Sequence, residues 1–452
     1  MRILLATNFY PPGHLGGTEV LTSGLARSLG AAGHAVEVVC AEDWGVAPGY
    51  RVRATRESAD GVVVNRLRFN WQRAPDVFRS LYDNPEVERW VFDCLGRLKP
   101  DVVHITSCGT LSASVITAAR RRGVPVLLTA TDFWFLCARN TLLQRDGSLC
   151  SGPEAPWKCA QCLLTDAKAY RWPRKLLPEG TVASILRTAA RFPAVTNRRG
   201  FRGMLGDWQD RLECLSRALR EVDLIVTASQ FLRTLFIRYG VPPERIQQSA
   251  YGLDSTWAGS FQTKAPSPQL RIGFIGQILP AKAPDLLLRA IRELPSDAPI
   301  EVRIYGDLSK DRRYGEALLA QAGSDGRLFF RGTFDNSQMG RVLSEIDVLV
   351  VPSIWYDFPL VIPSAFATRT PVIATNLPGM NEWVRHDVDG LLFERHDAAG
   401  LASIIRRLLD EQGLLDRLRS NILPVKTLEE YAAESVAIYA SLSKRNQQPS
   451  SA

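Results

Sequence analysis

A segment between Ile346 and Leu392 constrains the fold of this chain more than any other part of the sequence. It reads IDVLVVPSIWYDFPLVIPSAFATRTPVIATNLPGMNEWVRHDVDGLL. The pattern predicts a buried strand at 348–351, a polar and aromatic loop, a helix, a second strand at 371–374 and a turn containing glycine. Such a βαβ unit implies a parallel sheet, and ligands of these sheets bind at the carboxyl ends of the strands.

The same alternation recurs along most of the chain. A strand over 2–7 precedes a Pro/Gly loop, a helix over 19–32 and a strand over 35–40. The pattern repeats near residues 101–129 and 222–239, and a second series starts at Leu270. Short connections between strands and helices favour parallel α/β sheets covered by helices on both faces. We therefore predict two doubly wound domains.

Breaks in the alternation give the domain boundaries. The periodicity stops around 251–269 in favour of Gly, Ser, Thr and Pro, as expected for a linker. The predicted domains are residues 1–255 and 268–425, followed by a terminal helix and a disordered tail over 426–452. An insertion rich in Cys and Arg interrupts the first domain at about 135–208.

Composition places the chain among ordinary globular proteins. Its 452 residues are 46% hydrophobic and 23% charged, which is sufficient for two cores. No apolar run approaches the roughly 18 residues that span a bilayer, and the apolar start is too short for a secretory signal. We expect a cytoplasmic protein, either free or peripheral on the inner face of the membrane.

The net charge of +8 is concentrated in one segment. Residues 165–206 contain two acidic side chains against nine basic ones: Lys168, Arg171, Arg174, Lys175, Arg187, Arg191, Arg198, Arg199 and Arg202. Aromatic residues lie among them, which is typical of a surface that contacts anionic lipid. A solvated basic face is the alternative. Nucleic acid is disfavoured because no recognised nucleic-acid module accompanies the charge.

Two loops have the composition of phosphate-binding turns. Gly16 and Gly17 end a Pro-rich loop at a helix start, where the backbone can approach an anion closely. A plain tight turn is the alternative there. Lys282 follows the first strand of the second series, where its positive charge could compensate the negative charge of a diphosphate. A solvated loop lysine is the alternative.

Together these segments resemble retaining GT-B glycosyltransferases of the family 4, or group 1, type. The resemblance implies two Rossmann-like domains across a cleft, with the acceptor on the first and the nucleotide sugar on the second. Family members place two glycines where Gly16 and Gly17 stand, facing the donor phosphates. They also carry Arg and then Lys-Gly after the strand; Lys282 matches, whereas Gln277 and Ala283 replace the Arg and the Gly.

The paired acidic residues of the family are replaced in this chain. Their positions fall on Tyr356 and Ser364, with Asp357 one residue after the first. The resemblance assigns Asp357 to the sugar hydroxyls and Ser364 to the ribose. Phosphate would be bound by main-chain N–H groups before the helix, from the segment Phe358, Pro359, Leu360 and Val361.

A third departure concerns the acceptor side. The family usually has His-Asp where this chain has Thr131-Asp132, and in relatives that His approaches the reacting sugar. Asp132 follows a predicted strand, where a carboxylate suited to acceptor hydroxyls is expected. We take Asp132 and Asp357 as the catalytic candidates; a simple loop cap is the alternative for Asp132.

Four of the eight cysteines lie in the insertion, in a C-x12-C-x8-C-x2-C array. They are Cys137, Cys150, Cys159 and Cys162. The C-x2-C pair has the spacing of zinc ligands, and the other two would complete a tetrahedral set. We favour a structural zinc ion because the insertion is short and poor in core residues; four independent thiols are the alternative, and a cytoplasmic setting disfavours disulfides.

The implied function is transfer of a sugar, with retention, from a nucleoside diphosphate sugar to a glycan or lipid-linked saccharide in polysaccharide or cell-envelope assembly. No cofactor is implied for catalysis. A non-catalytic GT-B protein that binds a glycan or lipid intermediate is the main alternative, because four usually functional positions are changed. A sugar-nucleotide epimerase is a third.

Overall fold

The computed structural model describes residues 1–13, 16–144, 146–164, 179–200, 203–355 and 358–447. These residues form two compact units. The first contains Met1–Ala228, Leu232–Ala250 and Glu429–Ala452, and the second contains Ser229–Phe231 and Tyr251–Leu428. The basic residues between 165 and 178, together with Arg202, lie outside the described part of the chain, as do Tyr356 and Asp357.

The first unit is built around an eight-stranded sheet. Its strands run in the order β3-β4-β2-β1-β5-β6-β7-β8 and pair in parallel, except that β3 is antiparallel to β4. In chain order the elements are β1 (Arg2–Ala6), α1 (Gly17–Ala31), β2 (Ala35–Asp43), β3 (Arg53–Ala59), β4 (Val62–Arg68), α2 (Pro85–Leu98), β5 (Val102–Ile105), α3 (Ser114–Arg121), β6 (Val126–Ala130), α4 (Pro156–Leu164), α5 (Glu179–Ala189), α6 (Pro193–Thr196), α7 (Leu205–Glu221), β7 (Leu224–Thr227), α8 (Gln230–Arg238) and β8 (Ile246–Gln248).

The second unit contains a six-stranded parallel sheet in the order β11-β10-β9-β12-β13-β14. Its elements are β9 (Leu270–Ile275), α9 (Pro284–Arg292), β10 (Ile300–Tyr305), α10 (Arg312–Ala322), β11 (Leu328–Gly332), α11 (Met339–Ser344), β12 (Val348–Val351), α12 (Val361–Ala367), β13 (Val372–Thr375), β14 (Gly390–Phe393), α13 (Ala398–Asp410) and α14 (Leu414–Ser420). The helix α15 (Leu428–Gln447) follows, and it belongs to the first unit from Glu429 onward.

The sequence dictates these sheets through burial on both faces. Every residue of β12 is buried, and so is every residue of β13, as expected for continuous apolar strands between two helix layers. In α9, Leu286, Leu287, Leu288 and Ile291 are buried against the same core. The predicted class, two doubly wound α/β units, is therefore confirmed.

Each sheet reverses its strand order at one place. In the first unit the chain passes outward from β1 through β2 and then outward from β5 on the other side, so the reversal lies between β1 and β5. In the second unit the reversal lies between β9 and β12. At such points the loops that leave adjacent carboxyl ends diverge and open a crevice, which is where doubly wound sheets bind ligands.

The helix α15 packs in the first unit through a buried polar network. The Nδ1 atom of His104 lies 2.7 Å from the Tyr439 hydroxyl, and its Nε2 lies 2.8 Å from the Thr129 hydroxyl. Thr129 is in turn 3.0 Å from the hydroxyl of Tyr431. Complete burial lowers the pKa of His104 to about 3, so the imidazole stays neutral and exchanges hydrogen bonds with hydroxyls only.

Among the residues that the structure describes, no helix is both long enough and apolar enough to cross a membrane.

Candidate functional site

The crevice of the second unit is formed by the loops that follow β9 and β12. After β9 the chain makes a 3-10 turn at Pro280–Lys282 and enters α9. The N–H of Ile354, which follows β12, donates to the carbonyl of Ala281 at 3.0 Å. This bond fastens the two loops to each other at the point where the strand order reverses.

Lys282 lies inside this crevice rather than on an open loop. Its Nζ is 5.2 Å from the ring centroid of Trp355, a residue of the loop after β12, and the lysine is half-buried. A cation over an indole face is attracted by about 0.5–2 kcal/mol, depending on desolvation. The indole therefore helps to hold the amine at the carboxyl end of β9, where the sequence predicts a phosphate contact.

Ala283 shows why this position is usually a glycine in the family. Its backbone has φ 47° and ψ 47°, in the left-handed region, and it caps the start of α9. An L-residue with a Cβ pays roughly 1–2 kcal/mol for that conformation. Gln277, which stands where relatives carry Arg, is exposed in the same loop.

Phe358 begins the described part of the segment before α12. Its ring makes edge-to-face contacts with Tyr251, at 4.9 Å between centroids, and with Trp383, at 4.7 Å. The aromatic cluster fixes the segment from one side. Tyr356 and Asp357, the two residues before it, lie outside the described residues.

The predicted row of main-chain donors at 358–361 requires a correction. Pro359 has no N–H, and its carbonyl accepts the N–H of Ile362 at 3.0 Å. The helix α12 spans only Val361–Ala367, with Leu360 as its N-cap. Fewer donors than the sequence analysis assumes therefore precede this helix, and they come from Phe358, Leu360 and Val361.

Ser364 is turned toward its own helix. The hydroxyl donates to the carbonyl of Leu360 at 3.0 Å, and the residue is 4% exposed. Such a bond to the preceding turn is a common way for a helical serine to satisfy its proton. Because the Ser364 proton is already used, the hydroxyl oxygen can act only as an acceptor. A ribose hydroxyl would therefore have to donate its hydrogen bond to Ser364.

At the carboxyl end of β1, Gly16 and Gly17 form the start of α1. The N–H of Gly16 donates to the Glu19 carboxylate at 3.0 Å, and a Cβ on Gly16 would lie 2.6 Å from that carboxylate. A larger residue at this position would therefore displace the Glu19 carboxylate. The Gly16 N–H is paired with this carboxylate in the structure, and a contact of Gly16 and Gly17 with donor phosphates stays a prediction.

Threonine side chains connect the first turn of α1 to the residues that follow β5 and β6. The Thr18 hydroxyl in α1 donates to the Thr131 hydroxyl at 2.9 Å, and Thr131 donates to the carbonyl of Thr106 at 2.8 Å. Thr131 therefore takes a structural place at the position where relatives carry His. Neither Thr18 nor Thr106 was among the predicted site residues, because isolated threonines give no local signal.

Asp132 is half-buried in a set of loop contacts. One oxygen accepts the Ser107 hydroxyl at 3.0 Å, and the other accepts the N–H of Trp134 at 2.9 Å. Burial raises the pKa of Asp132, while these bonds lower it by a smaller amount. The bond to an N–H two residues later is the geometry of a loop cap. A role toward an acceptor hydroxyl stays a prediction.

All four cysteines of the insertion border one small cavity, together with Arg139. Each is a free thiol. Within the described ranges, no three or more His, Cys, Asp or Glu side chains are placed so that they hold a metal ion as they stand. The other four cysteines do not line this cavity: Cys40, Cys94 and Cys108 are buried, and Cys214 is half-buried.

Comparisons with known proteins agree with this architecture. A family model described as glycosyl transferases group 1 matches residues 269–411, and one described as a glycosyl transferase 4-like domain matches residues 16–169. D-inositol 3-phosphate glycosyltransferase of Nocardioides sp. is 29% identical over 252 residues, covering 49% of this chain and 54% of the relative. The D-inositol 3-phosphate glycosyltransferase of Rhodococcus jostii is 32% identical over 209 residues, covering 43% of this chain and 46% of the relative.

The chain thus spans about half the length of the curated relatives it matches. Solved structures extend the likeness in fold to almost the whole chain. Sucrose-phosphate synthase from Thermosynechococcus elongatus superposes with a TM-score of 0.64 at 18% identity, covering 98% of this chain and 99% of that one. Anabaena HepE, solved in complex with UDP and glucose, gives 0.61 at 16% identity, covering 98% of each chain.

Two doubly wound units, each with a crevice at its strand-order reversal, define a protein with the GT-B fold. The two family models fall one on each unit. The resemblance to GT-B glycosyltransferases of the group 1, family 4 type, which we inferred from the sequence, is confirmed.

Proposed function

We propose that this chain transfers a sugar, with retention of anomeric configuration, from a nucleoside diphosphate sugar to a glycan or lipid-linked saccharide. The observation that carries the proposal is the position of Lys282 in the crevice between the loops after β9 and β12. Solved neighbours bound to UDP, UDP-glucose or ADP support a donor of this class.

In the proposed reaction the bond between the sugar and the diphosphate breaks, and negative charge accumulates on the leaving nucleoside diphosphate. The Lys282 ammonium is held where it can compensate that charge in a partly desolvated crevice. Attack from the same face lets the leaving phosphate accept the acceptor proton. No side-chain base is then needed at Thr131, and no metal ion is needed for the diphosphate.

A donor-hydrolysis screen tests the proposal. Purified protein is incubated with UDP-, GDP- and ADP-sugars, and the released nucleoside diphosphate is measured beside a Lys282→Ala variant. Release from one donor that the variant loses identifies the nucleotide and supports a transferase. If no donor is hydrolysed, binding of the same panel is measured by calorimetry.

Binding without hydrolysis, and without transfer to a panel of saccharide acceptors, would instead favour the second candidate. That candidate is a non-catalytic GT-B protein that binds a glycan or lipid-linked intermediate during polysaccharide assembly. The observations that favour it are Thr131 and Ser364, whose hydroxyls both donate within the protein at positions that are usually functional in the family. Absence of any nucleotide binding would contradict the transferase and also favour the non-catalytic candidate.

A lipid-linked acceptor also suits the surface of the insertion. Ile185 is 54% exposed and Phe192 is 56% exposed, and Arg187 and Arg191 are exposed beside them in the chain. Large apolar side chains interleaved with cations fit the headgroup region of an anionic bilayer. This pairing supports peripheral attachment to a membrane that holds the acceptor.

We expect the triple variant Arg187→Gln, Arg191→Gln, Arg198→Gln to bind anionic vesicles about 100-fold more weakly than the unchanged chain. Each cation near the headgroups contributes about 1 kcal/mol, so three contribute about 3 kcal/mol. The measurement is co-sedimentation with vesicles of phosphatidylglycerol and phosphatidylcholine at a fixed salt concentration.

A matched control removes the same charge from the second unit, through exposed residues remote in sequence from the insertion. The control substitutions to Gln are at Arg312, Arg313 and Arg341. Equal loss of binding in both triple variants would show that only net charge matters and would contradict a membrane surface located on the insertion. Unchanged sedimentation of the first variant would contradict it as well.

A further inference from the structure

The four cysteines of the insertion border one small cavity. Its volume is about 30 Å³, far below the roughly 300–1,000 Å³ of a small-molecule site. Of the described residues that line it, four are Cys and none is Asp, Glu or His. Besides the amide of Gln144, the side-chain ligand atoms at the cavity are sulfur, which suits soft metal ions better than the oxygen-rich coordination of calcium or magnesium.

Three separate pieces of backbone deliver these thiols to one place. Cys159 and Cys162 lie one turn apart on the same side of α4. Cys150 ends a small hairpin, in which its N–H donates to the carbonyl of Leu142 at 2.7 Å. Cys137 ends the turn after β6, where its N–H donates to the carbonyl of Phe133 at 2.7 Å. Convergence from residues up to 25 positions apart is not a consequence of local chain geometry.

The surroundings of the thiols suit metal-bound thiolates. The N–H of Gly152 points at the Cys150 sulfur, with nitrogen and sulfur 3.4 Å apart. Gly152 has φ 114°, and a Cβ there would overlap the Tyr239 hydroxyl, so only glycine can present its N–H in this way. Outer-shell hydrogen bonds of this kind orient ligands and stabilise their charge in metal sites.

Two arginines supply positive charge near the four thiols. Arg139 lines it and hydrogen-bonds to Cys162. Arg211, on α7, is only 5% exposed; its guanidinium donates to the Trp134 carbonyl at 2.6 Å and interacts electrostatically with Cys137 and Cys159. A buried guanidinium is costly without a counter-charge, and the described contacts of Arg211 include no carboxylate.

We propose that Cys137, Cys150, Cys159 and Cys162 bind one structural zinc ion. Four thiols release four protons as they bind Zn²⁺, which leaves a tetrahedral complex with two net negative charges beside Arg139 and Arg211. The thiols surround the cavity without forming a closed set, because ligand closure and metal binding are coupled in structural zinc sites. Zinc would join the hairpin to α4.

The ion would also order the loop that carries Asp132. Cys137 follows Asp132 by five residues, and the Asn140 side chain accepts the N–H of Phe133 at 2.8 Å and hydrogen-bonds to Asp132. A zinc ion on Cys137 would therefore restrain this loop from its far end. The site is a positioning device for the first unit and takes no part in bond breaking.

The test begins with elemental analysis of the full chain purified from metal-replete medium without chelator. We expect about one zinc per chain, and about tenfold less in the double variant Cys159→Ser, Cys162→Ser. The single variant Cys214→Ser is the matched control, since it removes a half-buried thiol outside the array, and it should retain the full amount.

A second measurement on the unchanged chain covers the case in which the double variant does not fold. Titration with a mercurial reagent should release zinc as the insertion thiols react, and cobalt exchange should give the strong visible bands of tetrahedral thiolate coordination. Protease cleavage within residues 137–162 should accelerate as zinc is released. Metal-free folded protein, iron in place of zinc, or fewer than eight thiols in the denatured, unreduced chain would overturn the proposal.

Discussion

Replacing Lys282 with alanine is expected to lower kcat/KM for donor turnover by about 100- to 1000-fold, a loss of about 2.7–4 kcal/mol in transition-state stabilisation. The effect should fall mainly on kcat, because the charge that Lys282 compensates is larger in the transition state than in the bound donor. The measurement is steady-state release of nucleoside diphosphate from the donor identified by the screen.

Two further variants separate the charge of Lys282 from other causes. Lys282→Arg keeps a cation in the crevice and should recover part of the rate, whereas Lys310→Ala removes an exposed lysine after β10 and should leave the rate unchanged. The thermal unfolding temperature of all three variants is recorded to exclude misfolding. A Lys282→Ala enzyme with wild-type kcat/KM would show that this lysine does not contact the leaving group.

Replacing Tyr439 with alanine is expected to destabilise the first unit by about 3–5 kcal/mol or more. The side chain is completely buried, so its removal leaves a large cavity. It also removes the hydroxyl that pairs with His104, a fully buried imidazole. The measurement is the free energy of unfolding in urea, followed by circular dichroism.

Tyr439→Phe divides this effect into its two parts. The ring remains and only the hydroxyl is lost, so the cost is the roughly 1–3 kcal/mol of an unpaired buried polar group. Exposed Ser441, on the same helix, provides a control substitution to Ala that should change stability by less than about 0.5 kcal/mol. Equal stability of the Ala and wild-type proteins would mean that α15 does not pack against β5 in solution.

The sequence was most informative where the pattern is local. Burial on both faces of β12 and β13 follows from their continuous apolar residues, and both strands were predicted nearly to the residue. Lys282 was predicted at a strand end because glycine, proline and a lone cation interrupt an α/β repeat there. The strand order then explains why that loop and the one after β12 form a crevice.

Features that depend on distant partners were not predictable in this way. His104 and Tyr439 are 335 residues apart, and neither position alone indicates the other. The edge strand β3 was missed because nearly all of it is exposed and charged residues stand where alternation would be expected. Local spacing also gave no indication that Ser364 donates into its own helix, or that Ala283 adopts a left-handed backbone.

The order of segments along the chain has a consequence for synthesis. The second unit is inserted between two parts of the first, with about 180 residues between Ala250 and Glu429. At about 5–20 residues per second, a ribosome needs roughly 10–35 s to cross that interval. Throughout it His104 and Thr129 lack the helix that seals them, so water must hydrate them until the last segment emerges. A nascent chain stalled before residue 428 should therefore be a target for chaperones even though its first sheet is already made.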